Sequence, residues 1–341
     1  MQESYLYEKL GQNRVKCQTC NHNCLLAPGQ SGLCGVRQNQ AGVLMVSNYG
    51  QAIAANVDPI EKKPLYHFLP GTQTFSFAAA GCNFKCANCQ NWQISQSTKN
   101  TNLSENKITN FGFALPSAKI IDQAKTANCP SISYTYTEPT IFLEYALDTM
   151  KLAKEAGLKN IWVSNGFMSQ EALKLIIPYL DAINVDLKSF DENFYQKICG
   201  AKLKPVLENL KSLKKAGVWV EITTLIIPTL SDSEKMLAKI AKFIKEKIGT
   251  ETPWHLSQFS GVISWQLQNL PPTPKNIIER ACCLGREAGL YYVYAGNIQS
   301  KWNNTFCPQC RLLNIERSGF SIKRKDKKGR CYTCNTDLDI I

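Results

Sequence analysis

The run Cys82-Asn-Phe-Lys-Cys86-Ala-Asn-Cys89 constrains this chain more than any other feature. It follows a strand-like stretch, Thr74–Ala80, and a turn at Gly81. Three thiolates on one short loop can hold three irons of a 4Fe–4S cluster. The fourth iron then lacks a local protein ligand, and an open metal position serves substrate chemistry where a closed one serves structure. A buried thiol loop, or part of a zinc site, is the competing reading of the same spacing.

Two further cysteine sets flank this loop. Cys17, Cys20, Cys24 and Cys34 lie close together in a segment turned by Gly29, Gly32 and Gly35. Four thiols in so short a stretch suit a tetrahedral zinc knuckle, and metal binding would fold a segment with little core of its own. An auxiliary iron–sulfur cluster is the alternative. His22, inside this set, is expected at the surface, because four thiols already complete the site. Near the other end, Cys307 and Cys310 form one C-x2-C knuckle and Cys331 and Cys334 a second. Paired knuckles at this separation read as a zinc ribbon, closed and structural, with Leu312–Ser321 pairing as a hairpin. Cys129, Cys199, Cys282 and Cys283 have no ligand spacing and read as small buried hydrophobes. Cys199, before Gly200 in a loop, is the candidate reactive thiol among them.

Composition narrows the class. At 44% hydrophobic and 19% charged residues the chain is globular. The stretch Met1–Lys16 is polar, unlike a signal peptide, and no apolar run approaches the ~18–20 residues that span a bilayer. A cytoplasmic protein is expected, with no membrane partner and with cysteines serving as ligands or catalytic groups rather than disulfides. The formal charge of +12 invites a nucleic-acid reading. Residues 323–330, KRKDKKGR, concentrate much of it in one loop. Filled thiolate sites would lower the total to roughly +7. That loop reads first as a solvated face and second as a docking patch for RNA or an acidic partner.

Between the outer sets, strand-like and helix-like patterns alternate. Strands are predicted at Thr74–Ala80, Ser131–Thr137, Ile161–Ser164, Ile183–Leu187, Val218–Ile227 and Trp254–Phe259, with a seventh at Tyr291–Ala295. Helices are predicted at Ala118–Thr126, Thr140–Ala156, Gln170–Tyr179, Asp191–Ile198, Pro205–Ala216, Ser233–Lys247 and Lys275–Ala288. This alternation predicts an α/β fold with a parallel sheet, a partial (β/α)6-type barrel whose ligands sit at the C-terminal strand ends. The expected division is residues 1–70, 71–300 and 301–341: a four-cysteine segment with a lead-in loop, the barrel, and the ribbon-like segment.

Several strand ends carry polar groups. Thr137-Glu138-Pro139-Thr140 opens a helix, where Pro suits the first turn. Ser164-Asn165-Gly166 ends the next strand. Asp186 and Lys188 share one side of theirs and together can read a zwitterion or a ribose. Glu221 is read equally as a site residue or a buried structural partner, the lone His255 as a packing group first and an active-site residue second, and Ile226-Ile227-Pro228 as an apolar end that could flank adenine. The stretch from Asp58 to His67 is a polar lead-in loop or a lid over the barrel mouth.

With the Cys82–Cys89 loop and these strand ends together, the chain resembles the radical S-adenosylmethionine (SAM) superfamily. There the open iron binds SAM, and the reduced cluster cleaves it to a 5′-deoxyadenosyl radical that abstracts hydrogen. The resemblance implies Cys82, Cys86 and Cys89 as cluster ligands and Glu138, Asp186 and Lys188 as SAM contacts, with Ser164 at its strand end a small polar group expected beside them. The last two match an Asp-x-Lys strand end of glycyl-radical activating enzymes. Two positions depart from the superfamily: Asn88 replaces a frequent aromatic before the third Cys, with Trp92 the next aromatic, and Tyr136-Thr137 replaces two glycines before Glu138.

Over nearly its full length the chain is also similar to the radical SAM enzyme of the AmmeMemoRadiSam system. Matching stretches include Cys34-Gly-Val-Arg37, Asp58–His67, Gly81–Trp92, Tyr134–Thr140, Asn184–Lys188 and Tyr292–Asn297. The stretches after Phe259 and after Cys334 differ from that pattern. The resemblance implies an activating-enzyme-like oxidoreductase acting on a protein or other macromolecule. Implied partners are a flavodoxin or ferredoxin as reductant and AMMECR-like and Memo-like proteins. RNA modification and a non-catalytic metal-binding interaction protein are the alternatives.

Overall fold

The computed structural model of the chain describes residues 1–99 and 112–341. At its centre is one eight-stranded sheet. Its strands are β1 (Ala54–Pro59), β2 (Gln73–Ala78), β3 (Ser131–Tyr134), β4 (Lys159–Ser164), β5 (Ala182–Asp186), β6 (Trp219–Ile226), β7 (Trp254–Gln258) and β8 (Val293–Ala295). Neighbours in the sheet follow chain order. Strands β2 to β8 are parallel, and β1 pairs antiparallel with β2 along the outer edge. The parallel strands are buried on both faces, as parallel sheets between layers must be.

Helices return the chain between them. They are α1 (Ser117–Thr126), α2 (Leu143–Glu155), α3 (Gln170–Ile176), α4 (Leu203–Lys215), α5 (Glu234–Phe243) and α6 (Lys275–Glu287). Local chemistry sets their starts and faces. Ser169 and Ser233 cap α3 and α5 by accepting the amides of Ala172 and Met236. Helix α4 buries Leu203, Val206, Leu210 and Leu213, a stripe at helical spacing. The result is a partial α/β barrel of six β/α units and a closing seventh parallel strand.

Sequence patterning missed β1. Its residues carry little alternation, and it lies on the N-terminal side of the boundary at residue 70, so the barrel sheet extends across that boundary.

The N-terminal segment folds as two small antiparallel sheets. A buried ion pair ties it to the barrel: Arg37 Nη2 lies 2.7 Å from Glu144 Oε2 on α2. Ser4 Oγ and the Tyr5 amide also donate to Glu144. At the other end, Leu313–Ser318 and Ser321–Arg324 form the ribbon hairpin.

The Asp58–His67 stretch corrects one expectation. It does not cover the barrel mouth but plugs the base, where Ile60, Leu65 and Phe68 pack against Ile161 and Ala182 at the starts of β4 and β5. The amides of Tyr66 and His67 donate to Glu221, and Asn184 Nδ2 donates to the Pro64 carbonyl. The ribbon segment docks beneath this plug. Arg317 donates to the Tyr66 carbonyl (2.8 Å), and the Ile341 amide to the His67 carbonyl (2.7 Å). Among the described residues, no helix is long and apolar enough to cross a membrane.

Candidate active site

A cavity of about 400 Å³ opens at the C-terminal ends of the strands. That size suits a cofactor or small ligand. Cys82, Cys86, Cys89, Glu138, Ser164, Asp186 and Lys188 all line it. These residues come from four different strand ends, which only the barrel brings together.

The cysteine loop leaves β2 through Gly81 at φ +105°. A Cβ there would meet Val36 at 3.0 Å and the Cys34 carbonyl at 3.1 Å, so only glycine lets the loop press against the N-terminal segment. The Phe84 amide donates to Cys82 Sγ (3.3 Å), and Ser95 Oγ lies 3.3 Å from Cys89 Sγ. The amides of Lys85 and Ala87 donate to the carbonyls of Cys199 and Ile198, which anchors the loop against the turn after β5.

Cys199 is fully buried behind Cys86 and does not line the cavity, so it is not an accessible thiol. The Cys199 thiol, and then burial, push the Cys86 thiol well up. Burial likewise raises Cys82 and Cys89. A metal centre here must therefore displace protons to gain thiolates.

Glu138 is the most committed acceptor in the cavity wall. It takes hydrogen bonds from the Thr140 amide (3.1 Å), Thr140 Oγ1 (2.6 Å), Ser164 Oγ (2.8 Å) and the Asn165 amide (2.8 Å). Burial pushes its carboxyl up, and these donors oppose the shift. Asn165 Nδ2 in turn donates to Asn83 Oδ1 (2.7 Å), joining the β4 end to the cysteine loop.

Lys188 Nζ lies 2.8 Å from Asp186 Oδ2. Burial alone would lower Lys188, but Asp186 outweighs it and holds the ammonium charged. Both residues line the cavity, Asp186 at the end of β5 and Lys188 just beyond it.

The floor carries a group that strand-end reasoning missed. Lys62 and Lys63 both pair with Asp58, at 2.8 and 2.6 Å. Tyr136 OH donates to the same carboxylate, and Lys63 Nζ sits 4.4 Å from the Tyr136 ring centre. Tyr136 holds φ +62°, a left-handed conformation that glycine adopts more easily. It thus keeps the backbone shape of the glycine it replaces and sends its ring to the barrel floor. The signal was present in the Asp58–His67 stretch, but only the antiparallel β1 brings that stretch under Tyr136.

Other expectations changed. Trp92 is 36% exposed and does not line the cavity, whereas Phe259, Ile263 and Leu225 do. Ile226 and Ile227 are buried in the core; alternation along β6 turns Thr223 and Leu225 into the cavity and Ile226 away from it, and Ile227 lies past the strand end. Glu221 and His255 are fully buried partners, 2.7 Å apart, outside the cavity. Buried Asn88 Oδ1, Asn184 Oδ1 and Thr223 Oγ1 line the cavity without protein partners, so polar ligand groups have somewhere to bind.

The outer cysteine sets differ in geometry. In the ribbon, Cys307 and Cys334 lie 3.5 Å apart and Cys310 and Cys331 3.6 Å apart. All four sulfurs fall within 4.8 Å of one another, close to what one tetrahedral ion requires. The N-terminal thiols line a separate cavity with His22. His22 is half-buried rather than on the surface: its Nε2 lies 2.8 Å from the Asn83 carbonyl and its ring packs on Phe167.

The chain is similar to several known proteins. Residues 78–244 match the family model described as the Radical SAM superfamily. The chain is 42% identical over 345 residues to an uncharacterized protein of Methanocaldococcus jannaschii, covering 100% of both. It is 26% identical over 176 residues to the pyruvate formate-lyase-activating enzyme of Clostridium pasteurianum, covering 52% of this chain and 71% of that one. Among solved structures, a domain of a pyruvate-formate lyase-activating enzyme from Bacteroides vulgatus aligns with a TM-score of 0.43 at 16% identity, over 49% of this chain and 99% of that one. The chain belongs to the radical SAM superfamily.

Proposed function

We propose that this protein is an activating-enzyme-like radical SAM enzyme that takes a hydrogen atom from a polypeptide glycine. One observation carries the reading: a single cavity gathers three loop thiols with Glu138, Ser164, Asp186 and Lys188. A reduced 4Fe–4S cluster with SAM supplies one electron that splits SAM into methionine and a 5′-deoxyadenosyl radical.

The chain's own groups do the rest. Cys82, Cys86 and Cys89, whose thiols line the cavity, would hold such a cluster. Asp186 and Lys188 hold the charged and hydroxyl groups of SAM. Glu138 fixes Ser164 and the Asn165 amide beside it, so those groups meet the ligand already ordered. The Asp58, Lys63 and Tyr136 cluster seals the floor and keeps water from entering beneath the ligand.

The C-terminal thiols hold one structural zinc. A flavodoxin or ferredoxin serves as reductant, and AMMECR-like and Memo-like proteins are the partners to test first. An RNA substrate is less favoured. Ile322, at the start of the basic loop, packs against Gly71 at the barrel base, away from the cavity.

The test uses purified AMMECR-like and Memo-like proteins labelled with α-deuterated glycine. Incubated anaerobically with reduced protein and SAM, they should yield deuterated 5′-deoxyadenosine. Deuterium transfer from labelled RNA alone would replace this reading with RNA modification.

A further inference from the structure

We propose that Cys17, Cys20, Cys24 and Cys34 hold a second [4Fe–4S] cluster rather than zinc. The assignment stands apart from the barrel chemistry, since it needs only these four thiols and what surrounds them.

Spacing argues first. With Zn–S bonds of about 2.3 Å, one tetrahedral zinc draws its four sulfurs to within about 3.8 Å of one another. Thiolates on a cubane cluster each bind a different iron, so they stand farther apart. Among the described residues, the ribbon set is the group of three or more such donors gathered within 4.8 Å. Neither the N-terminal thiols nor Cys82, Cys86 and Cys89 are gathered in this way. The N-terminal thiols, like those of the barrel loop, are therefore not drawn together as the ribbon thiols are.

The second observation is two unpartnered donors. The four thiols line one cavity together with Arg37, Asn83, Leu33 and Ile141. Arg37 Nε and Asn83 Nδ2 have no hydrogen-bond partner, and their residues are only 2% and 3% exposed. Orphaned buried N–H groups are costly, and a native site supplies an acceptor. The bridging sulfides of a cluster are acceptors placed inside such a cavity, and hydrogen bonds to sulfur are a normal part of cluster sites. The Arg37 guanidinium also brings positive charge toward a centre rich in thiolate.

Four thiolates leave no iron open, so this cluster holds or passes electrons and does not bind substrate. It backs directly onto the barrel loop. Asn83, which borders the N-terminal cavity, follows Cys82 in the chain, and Thr98 Oγ1 donates to the Cys34 carbonyl at 2.8 Å.

The deciding experiment uses the full chain carrying Cys82→Ser, Cys86→Ser and Cys89→Ser, which leaves the N-terminal set untouched. After anaerobic reconstitution with iron and sulfide, the variant should hold about four irons and four sulfides. Reduction with dithionite should give an iron–sulfur paramagnetic signal. Adding Cys20→Ser and Cys24→Ser should remove both iron and signal, while zinc stays at about one per chain. No iron in the triple variant, with or without a second zinc, overturns the assignment. Iron that survives Cys20→Ser and Cys24→Ser overturns it too. Failure of the barrel reading looks different: the wild type would then hold no more iron than the triple variant.

Discussion

The two ends of the chain each carry four cysteines, and they solve different problems. The ribbon thiols converge on a point, and the strands around them have little else to pack upon. The N-terminal thiols surround a space, and their segment already has a small core of Val15, Leu26 and Leu44. A single ion can organise the first; the second is the set proposed to hold a cluster. Cysteine count and rough spacing are alike at both ends, so the difference lies in where the backbone delivers the sulfurs.

The largest effect that could break this contrast comes from the ribbon. Removing the proposed zinc, by chelation or by Cys331→Ser, should unfold residues 301–341 and cost several kcal/mol, because a structural zinc's binding energy is folding energy. The barrel base should loosen with it, since His67 and Tyr66 hold the ribbon's Arg317 and terminal residues. Thermal melting and limited proteolysis would register the change. An unshifted melting temperature would mean that the ribbon thiols do not organise the segment.

A smaller effect is expected at the barrel mouth. Asp186→Ala removes the partner of Lys188 without touching any thiol. SAM affinity should fall about 10- to 100-fold, or ~1.4–2.8 kcal/mol, with iron content unchanged. Calorimetry against SAM, beside an iron assay, separates the two quantities. Lost iron would show that Asp186 supports the loop rather than the ligand.

The smallest effect is a pH slope at the base. His67 is fully buried, and burial lowers its pKa to about 4 against an ordinary 6.5, although Glu221 opposes the shift. Its Nδ1 faces the carbonyls of Leu338 and Asp339, and its Nε2 lies 2.6 Å from Tyr294 OH. The neutral ring satisfies these contacts. Between pH 6.5 and 4 the unfolded chain binds the extra proton, so stability falls on acidification by up to about 1.4 kcal/mol per pH unit. Denaturant titrations should show this slope in the wild type and a flatter one in His67→Asn. Equal slopes would remove His67 from the account.

Much of the barrel was legible because its pattern is local. Each predicted parallel strand overlaps an observed one, and the strand-end rule led to Glu138, Ser164, Asp186 and Lys188, which share one cavity. What stayed hidden depends on distant partners. Nothing near Asp58 indicates that Tyr136 will reach it across the barrel. Nothing in the spacing of Cys199 places it against Cys86. Trp92 and Ile226 suit an aromatic or apolar wall by composition, yet helix start and strand alternation turn them away. His22 appeared superfluous beside four thiols, and its burial follows from Phe167, far along the chain.

The central claim is that the barrel cavity cleaves SAM, and one anaerobic measurement tests it most directly. Reconstituted, reduced wild type and Cys86→Ala are each given SAM, with and without the AMMECR-like and Memo-like proteins, and 5′-deoxyadenosine is quantified. The account predicts product from the wild type and none above background from Cys86→Ala. A cluster-loaded wild type that forms no more product than the variant under every condition would contradict it.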